Sequence, residues 1–179
     1  MLNRHRRMSS IPASHPFAQP CRHDSLPDQQ KRGEGAMTVQ ALLAKRTGDV
    51  ISCLPDEMVG AVAARLAENR IGALPVMDGE RPIGIFSERD LLRSVVARGA
   101  VALSLPVREV MASPPVTVTP GTGVMAALSL MTRRRFRHLP VIDDGGRMLA
   151  FISIGDLVKH RIDQVEAEAA AMRDYIAHS

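Results

Sequence analysis

Apolar positions between residues 50 and 158 alternate between a two-residue and a helical period, and they do so twice. Val50–Cys53 is a short apolar run that stops at a turn around Pro55. Val59, Val62, Ala63 and Leu66 follow at the spacing of one helix face. Two apolar runs, Ala73–Met77 and Pro82–Phe86, then flank a polar Asp-Gly turn, the pattern of a β-hairpin. A second helix starts near Asp90. The order returns further on: a strand at Val116–Val118, a turn at Pro120, and a helix face of Val124, Ala127, Leu128 and Met131. Strands His138–Ile142 and Met148–Ile152 and a helix from Asp156 complete it. The prediction is β-α-β-β-α, twice, an α/β chain with two small units.

The two units are copies. Pro55 falls on Pro120 and Leu74-Pro75-Val76 on Leu139-Pro140-Val141, at an offset of 65. Ser87 and Asp90 fall on Ser153 and Asp156 at an offset of 66, the extra residue lying in the hairpin turn, where insertions are tolerated. Residues 99–112 connect the units, and PVREVM predicts a helical turn that packs as TVQALL does before the first unit. After Asp156, Val158, Ile162, Val165, Ala169, Met172 and Ile176 step by four, three, four, three and four. That is a helix of about six turns with one apolar seam, longer than the unit requires. The surplus seam points to a partner, most simply a second copy of the chain; folding back on its own unit is the alternative.

Composition narrows the function classes. Aromatic residues are 3% of the chain and Trp is absent, so the core is aliphatic and platforms for stacking bases are scarce. The net charge of +4 divides unevenly: residues 1–36 carry +3 and the remaining 143 carry +1. The near-neutral repeats argue against a nonspecific polyanion binder. Residues 1–36 hold four prolines and no periodicity, and they read as a disordered tail. Met37 opens the first patterned segment, which leaves sequence upstream of the true start as a second reading. Cys21 and Cys53 form no CxxC pair, so neither a disulfide framework nor a zinc site is expected, and a reduced, cytoplasmic setting fits. Neither a membrane span nor an apolar leader core is expected from the hydropathy pattern.

The strongest local motif is GIFSERD, residues 84–90, echoed by AFISIGD at 150–156. In each, an apolar strand ends at Ser and an Asp follows three residues later at the mouth of a helix. Ser-x-x-Asp there is a variant of the helix capping box, worth about 1 kcal/mol per cap whatever the function. The same geometry also suits a nucleotide. A helix N-terminus offers N–H donors to phosphate, the carboxylate can accept from a ribose diol, and Ile85 or Ile152 can support a flat base. Both readings stand on the spacing alone.

Two copies of an LPV strand, a turn and a G/A-h-h-S-x-x-D motif resemble a tandem pair of cystathionine-β-synthase (CBS) domains, the Bateman module, over about residues 37–160. The resemblance implies two repeats packed sheet to sheet about a pseudo-twofold axis, here followed by the long C-terminal helix. It divides the chain into residues 1–36 (tail), 37–98 (first repeat), 99–160 (second repeat with its lead-in) and 161–179 (helix extension). It also implies two shared clefts for an adenine nucleotide or related adenosyl ligand: AMP, ADP, ATP, NAD(H) or S-adenosylmethionine. One would use Ser153 and Asp156 on ribose and phosphate, with Ile51, Ile71, Gly72 and Ala73 lining the base slot. The other would use Ser87 and Asp90, with Val116, Arg135, Phe136 and Arg137 opposite and Arg89 adding a phosphate contact. Gly155 stands where the first copy has Arg89, so the clefts are not expected to be equivalent.

RRRFRHLPV, residues 133–141, places five basic or titratable groups before an apolar strand. Arg133 and Arg134 fall at a helix C-terminus, where cations are favourable in any case. Arg137 and His138 would meet phosphates in such a cleft, with His138 adding pH sensitivity. The function expected is a non-catalytic regulatory, energy-sensing module that signals in trans through a homodimer or an effector protein. A ligand-free dimeric scaffold is the alternative, and a nucleic-acid binder acting through the basic tail and Arg133–Arg137 a weaker one. An enzyme is disfavoured because the chain has no room for a barrel of roughly 250 residues and offers no nucleophile elbow or metal-ligand cluster.

Overall fold

The structure is a computed structural model that describes residues 38–44 and 50–178. The expectation of a disordered tail over residues 1–36 lies outside them. In chain order the elements are α1 (Val39–Leu43), α2 (Val59–Glu68), β1 (Ala73–Asp78), β2 (Arg81–Ser87) and α3 (Glu88–Arg98). Short 3-10 turns follow at Gly99–Ser104 and Val107–Glu109. Then come α4 (Val124–Arg134), β3 (His138–Ile142), β4 (Met148–Ser153) and α5 (Ile154–Ala177).

Each repeat is built on an antiparallel hairpin. Leu74 pairs with Phe86 and Val76 with Gly84 in the first; Leu139 pairs with Ile152 and Val141 with Ala150 in the second. Both hairpins carry a register shift after the same residue of the repeat, Val76 and Val141. The strands expected at Val50–Cys53 and Val116–Val118 are shorter than the alternation implies. Each is reduced to a single parallel bridge, Cys53 to Val76 and Val118 to Val141. The reason is the proline of each LPV strand. Pro75 accepts from the Cys53 N–H at 3.1 Å but has no N–H to return, and the next donor is Met77 at 2.9 Å. The Pro55 and Pro120 turns then carry the chain away.

Two aliphatic cores result. Cys53, Val59, Val62, Leu66, Leu74, Val76 and Phe86 bury the first hairpin against α2. Val118, Val124, Ala127, Met131, Leu139, Val141 and Ile152 do the same for the second against α4, with Leu157 of α5 added. The hairpin turns also meet across the repeats: the Met148 N–H donates to the Glu80 carbonyl at 2.9 Å and Arg81 to the Gly145 carbonyl at 3.1 Å.

The segments leading into the repeats are exchanged. Val39 of TVQALL is fully buried in the second core, and the Val39 and Gln40 N–H groups donate to Thr122 and Pro120. Val107 of PVREVM is fully buried in the first core, with its N–H on the Glu57 carbonyl at 2.8 Å. The two segments pack alike, as the repeat implies, but each on the repeat that does not follow it. The Ala112 N–H and carbonyl further exchange bonds with Ile85. This explains Gly84 opposite Ala150: a Cβ at Gly84 would collide with the Met111 thioether and lie 3.1 Å from the Ala112 carbonyl.

Val107→Ala therefore acts on the repeat that precedes it. It is expected to cost about 2 kcal/mol, and Gly84→Ala to destabilise as well, whereas Val101→Ala on the exposed 3-10 turn stays near neutral. Urea unfolding followed by circular dichroism checks the ranking.

Candidate functional site

The site is assembled by two helix mouths. β4 ends at Ser153, and Ser153 caps α5. Its Oγ accepts from the Asp156 N–H at 3.2 Å, and Asp156 Oδ2 accepts from the Ser153 N–H at 2.8 Å and hydroxyl at 2.9 Å. β2 and α3 repeat the arrangement with Ser87 and Asp90: 3.4 Å for the Asp90 N–H, 3.1 Å and 2.5 Å for the two bonds onto Asp90 Oδ2. The capping reading of Ser-x-x-Asp is thus realised in both repeats. It engages one carboxylate oxygen in each, Oδ2, and leaves Oδ1 outside the cap.

A cleft of about 390 Å³ opens at the α5 mouth. The first repeat contributes Val50, Ile51, Arg70, Ile71, Gly72 and Ala73, and the second contributes His138, Phe151, Ser153 and Asp156. The Ile51, Ile71, Gly72, Ala73, Ser153 and Asp156 set anticipated from the sequence is brought together. His138 joins this set because it pairs with Ser153 across the hairpin, whereas Arg137 does not line the cleft. Its ring stacks on Phe151 with centroids 5.3 Å apart and planes 7° apart. Ile152 is not part of the wall: it is fully buried, facing Leu139 in the second core. Its neighbour Phe151 lies on the opposite strand face, as alternation requires, and lines the cleft although it is itself buried. Gly72 brings the backbone close to α3: a Cβ there would meet Glu88 Oε2 at 3.4 Å, an ordinary contact with a side-chain tip.

Arg70, Val50 and Phe151 were missed in the sequence. Arg70 had a signal, because the offset of 65 places it on Arg135. Both residues end their helices with positive φ, 52° and 57°, where a side chain is strained and Gly is the ordinary choice. Arg135 stands at the other mouth. Its carbonyl accepts from Arg89 Nη1 at 2.8 Å, which ties α3 of the first repeat to the end of α4 in the second. Arg137 is exposed nearby, and its carbonyl accepts from the Ile154 N–H. Val116 and Phe136 are half-buried against the second core.

The CBS domain family matches residues 43–97 and 107–163. The chain belongs to the CBS-domain family. Over 134 residues it is 36% identical to the mitochondrial CBS domain-containing protein CBSX3 of Arabidopsis thaliana, covering 72% of this chain and 65% of that protein's length. The CBS-domain protein ATU1752 of Agrobacterium tumefaciens superposes with a TM-score of 0.64 at 38% identity, over 69% of this chain and 98% of that one. The structure of CBSX2 in complex with AMP shares the fold, with a TM-score of 0.64 at 24% identity over 73% of this chain and 98% of that one. The two matched segments are the two CBS repeats described above.

The electrostatics of the two CBS mouths differ. Burial holds the Asp90 carboxyl above its usual range, more than the Ser87 hydrogen bonds and the nearby Arg93 and Arg89 offset. His138 is held below its ordinary 6.5 by burial and, secondarily, by Arg137, against the opposing pull of Asp156 and Glu88. Cys53, packed in the first core, has its thiol pushed up to about 12 by burial, which removes it as a nucleophile. Among the described residues, no His, Cys, Asp and Glu cluster could hold a metal, and no helix is long and apolar enough to cross a membrane.

The His138 shift has a definite sign. A histidine depressed in the folded state binds fewer protons than in the unfolded chain, so stability falls as pH drops through 6.5 toward the folded value. The ligand-free protein is expected to lose stability between pH 7 and 5. His138→Gln flattens that slope, which urea unfolding across the pH range measures.

Proposed function

We propose that this CBS pair is a regulatory module that binds an adenine nucleotide or a related adenosyl compound in the cleft at the α5 mouth. The supporting observation is that this cleft, of a volume suited to a small ligand, draws complementary groups from both repeats. Val50, Ile51 and Ile71 offer an apolar wall to the base. Asp156 Oδ1, left over from capping, offers an acceptor to the ribose hydroxyls. The α5 N-terminus, Arg70 and His138 offer donors to phosphate. The AMP complex of CBSX2 supports the same ligand class through a shared fold. A second ligand at the Ser87–Asp90 mouth would displace the Arg89 guanidinium from the Arg135 carbonyl, so that mouth is pre-occupied where the first is open.

The output is carried by a change in how the repeats or two copies of the chain sit together, read by an effector protein in the cytoplasm. Such signalling requires that the ligand bind two states of the protein with different affinity. The second reading, a ligand-free dimeric scaffold, is favoured by one fact: both Ser-x-x-Asp motifs are already satisfied as caps.

A thermal-shift series with AMP, ADP, ATP, NAD⁺, NADH and S-adenosylmethionine separates the two. At a ligand concentration 100 times Kd, about 2.7 kcal/mol of stabilisation is expected. Asp156→Ala lowers the ligand-free midpoint through the lost cap, but the decisive loss is of the ligand-dependent increment. Arg70→Gly moves the two quantities oppositely: the ligand-free protein gains about 1 kcal/mol from relieved strain, and the increment for phosphorylated ligands shrinks. A series in which no adenosyl compound at millimolar concentration raises the midpoint would leave the scaffold reading.

A further inference from the structure

The matched family segment ends at residue 163, yet α5 continues as helix to Ala177. Two faces of α5 are distinct. Leu157 and His160 are buried and Arg161 and Gln164 half-buried, so this face lies on the chain's own second repeat. The seam of Val158, Ile162, Val165, Ala169, Met172 and Ile176 lies roughly 110° around the helix and is exposed throughout, with Met172 and Ile176 at 68% and 71%. Its four-three spacing assigns Ile162, Ala169 and Ile176 to heptad position a and Val158, Val165 and Met172 to position d.

The flanking charges say what covers it. Position g carries Arg161 and Glu168, and position e carries Glu166 and Arg173. In a parallel, in-register pair each g residue faces the e residue five positions on in the other helix. Arg161 then meets the partner's Glu166, and Glu168 meets the partner's Arg173. Symmetry doubles both, giving four pairs of opposite charge and none of like charge. Arg161 lies on the edge between the buried face and the seam, which leaves its side chain within reach of a helix laid on the seam.

We propose that the C-terminal halves of α5 from two copies of this chain pair in parallel as a short coiled coil, with Arg161–Glu166 and Glu168–Arg173 setting orientation and register. The inference rests on the dimer in the regulatory reading and gives it a geometry. The first turn of α5 holds Asp156 in the cleft and its last turns hold the partner, so one continuous helix spans ligand and dimer contact.

The test is sedimentation of the full chain over a concentration range. A reversible dimer is expected. Glu168→Arg, which puts two arginines against each other at both symmetry-related sites, weakens it by about tenfold, and adding Arg173→Glu restores it. Ile176→Cys, made with Cys21→Ser, forms a covalent dimer under mild oxidation; Cys53 is buried and does not contribute. A chain that stays monomeric would assign the seam to another segment of the chain or to a different protein. Either that result, a dimer indifferent to Glu168→Arg, or one that fails to cross-link through position 176 overturns the proposal. No nucleotide is present, so a failure of ligand binding leaves the outcome unchanged.

Discussion

The capping box at the start of α5 is the constraint on which the rest depends. An α-helix begins with unpaired N–H groups, and a strand delivered straight into a helix must satisfy them at once. Ser153 and Asp156 do so reciprocally, and the solution fixes a carboxylate at a helix mouth with one oxygen engaged and the other available. A group held by its structural duty needs no further ordering to meet a ligand. The stability of the fold and the preorganisation of the cleft therefore share the same side chain.

The exchanged lead-in segments supply the second constraint. Val39 and Val107 each complete a core belonging to the other half of the chain. Neither repeat closes its core from its own residues alone, and the cleft inherits walls from both. Movement of one repeat against the other must work around these two contacts and the hydrogen bonds between the hairpin turns.

Much of this was legible in the sequence, for definable reasons. Helix periods and apolar runs located both hairpins to within a residue or two, because the central residues of β1, β3 and β4 are buried on both faces and the turns between the strands are polar. The Ser-x-x-Asp spacing identified the caps, because capping is local. The cleft residues Ile51, Ile71, Gly72 and Ala73 came from the family resemblance rather than from any local rule. Four features escaped for want of a local signal. Pro75 and Pro140 shorten the first strand of each repeat through a missing N–H on the neighbouring strand. The crosswise docking of TVQALL and PVREVM is decided by tertiary packing that a symmetric repeat leaves open. Placing His138 beside Ser153 requires the hairpin register, and replacing Ile152 by Phe151 requires knowing which strand face meets the core. Arg70 alone was within reach, through its match to Arg135.

The most direct test of the account is a crystal structure of the full chain grown with whichever adenosyl compound gives the largest thermal shift. The account predicts the adenosine in the cleft at the α5 mouth, both ribose hydroxyls on Asp156, and the base against Ile51 and Ile71. Density for the ligand anywhere else, with Asp156 touching nothing but Ser153, would contradict it.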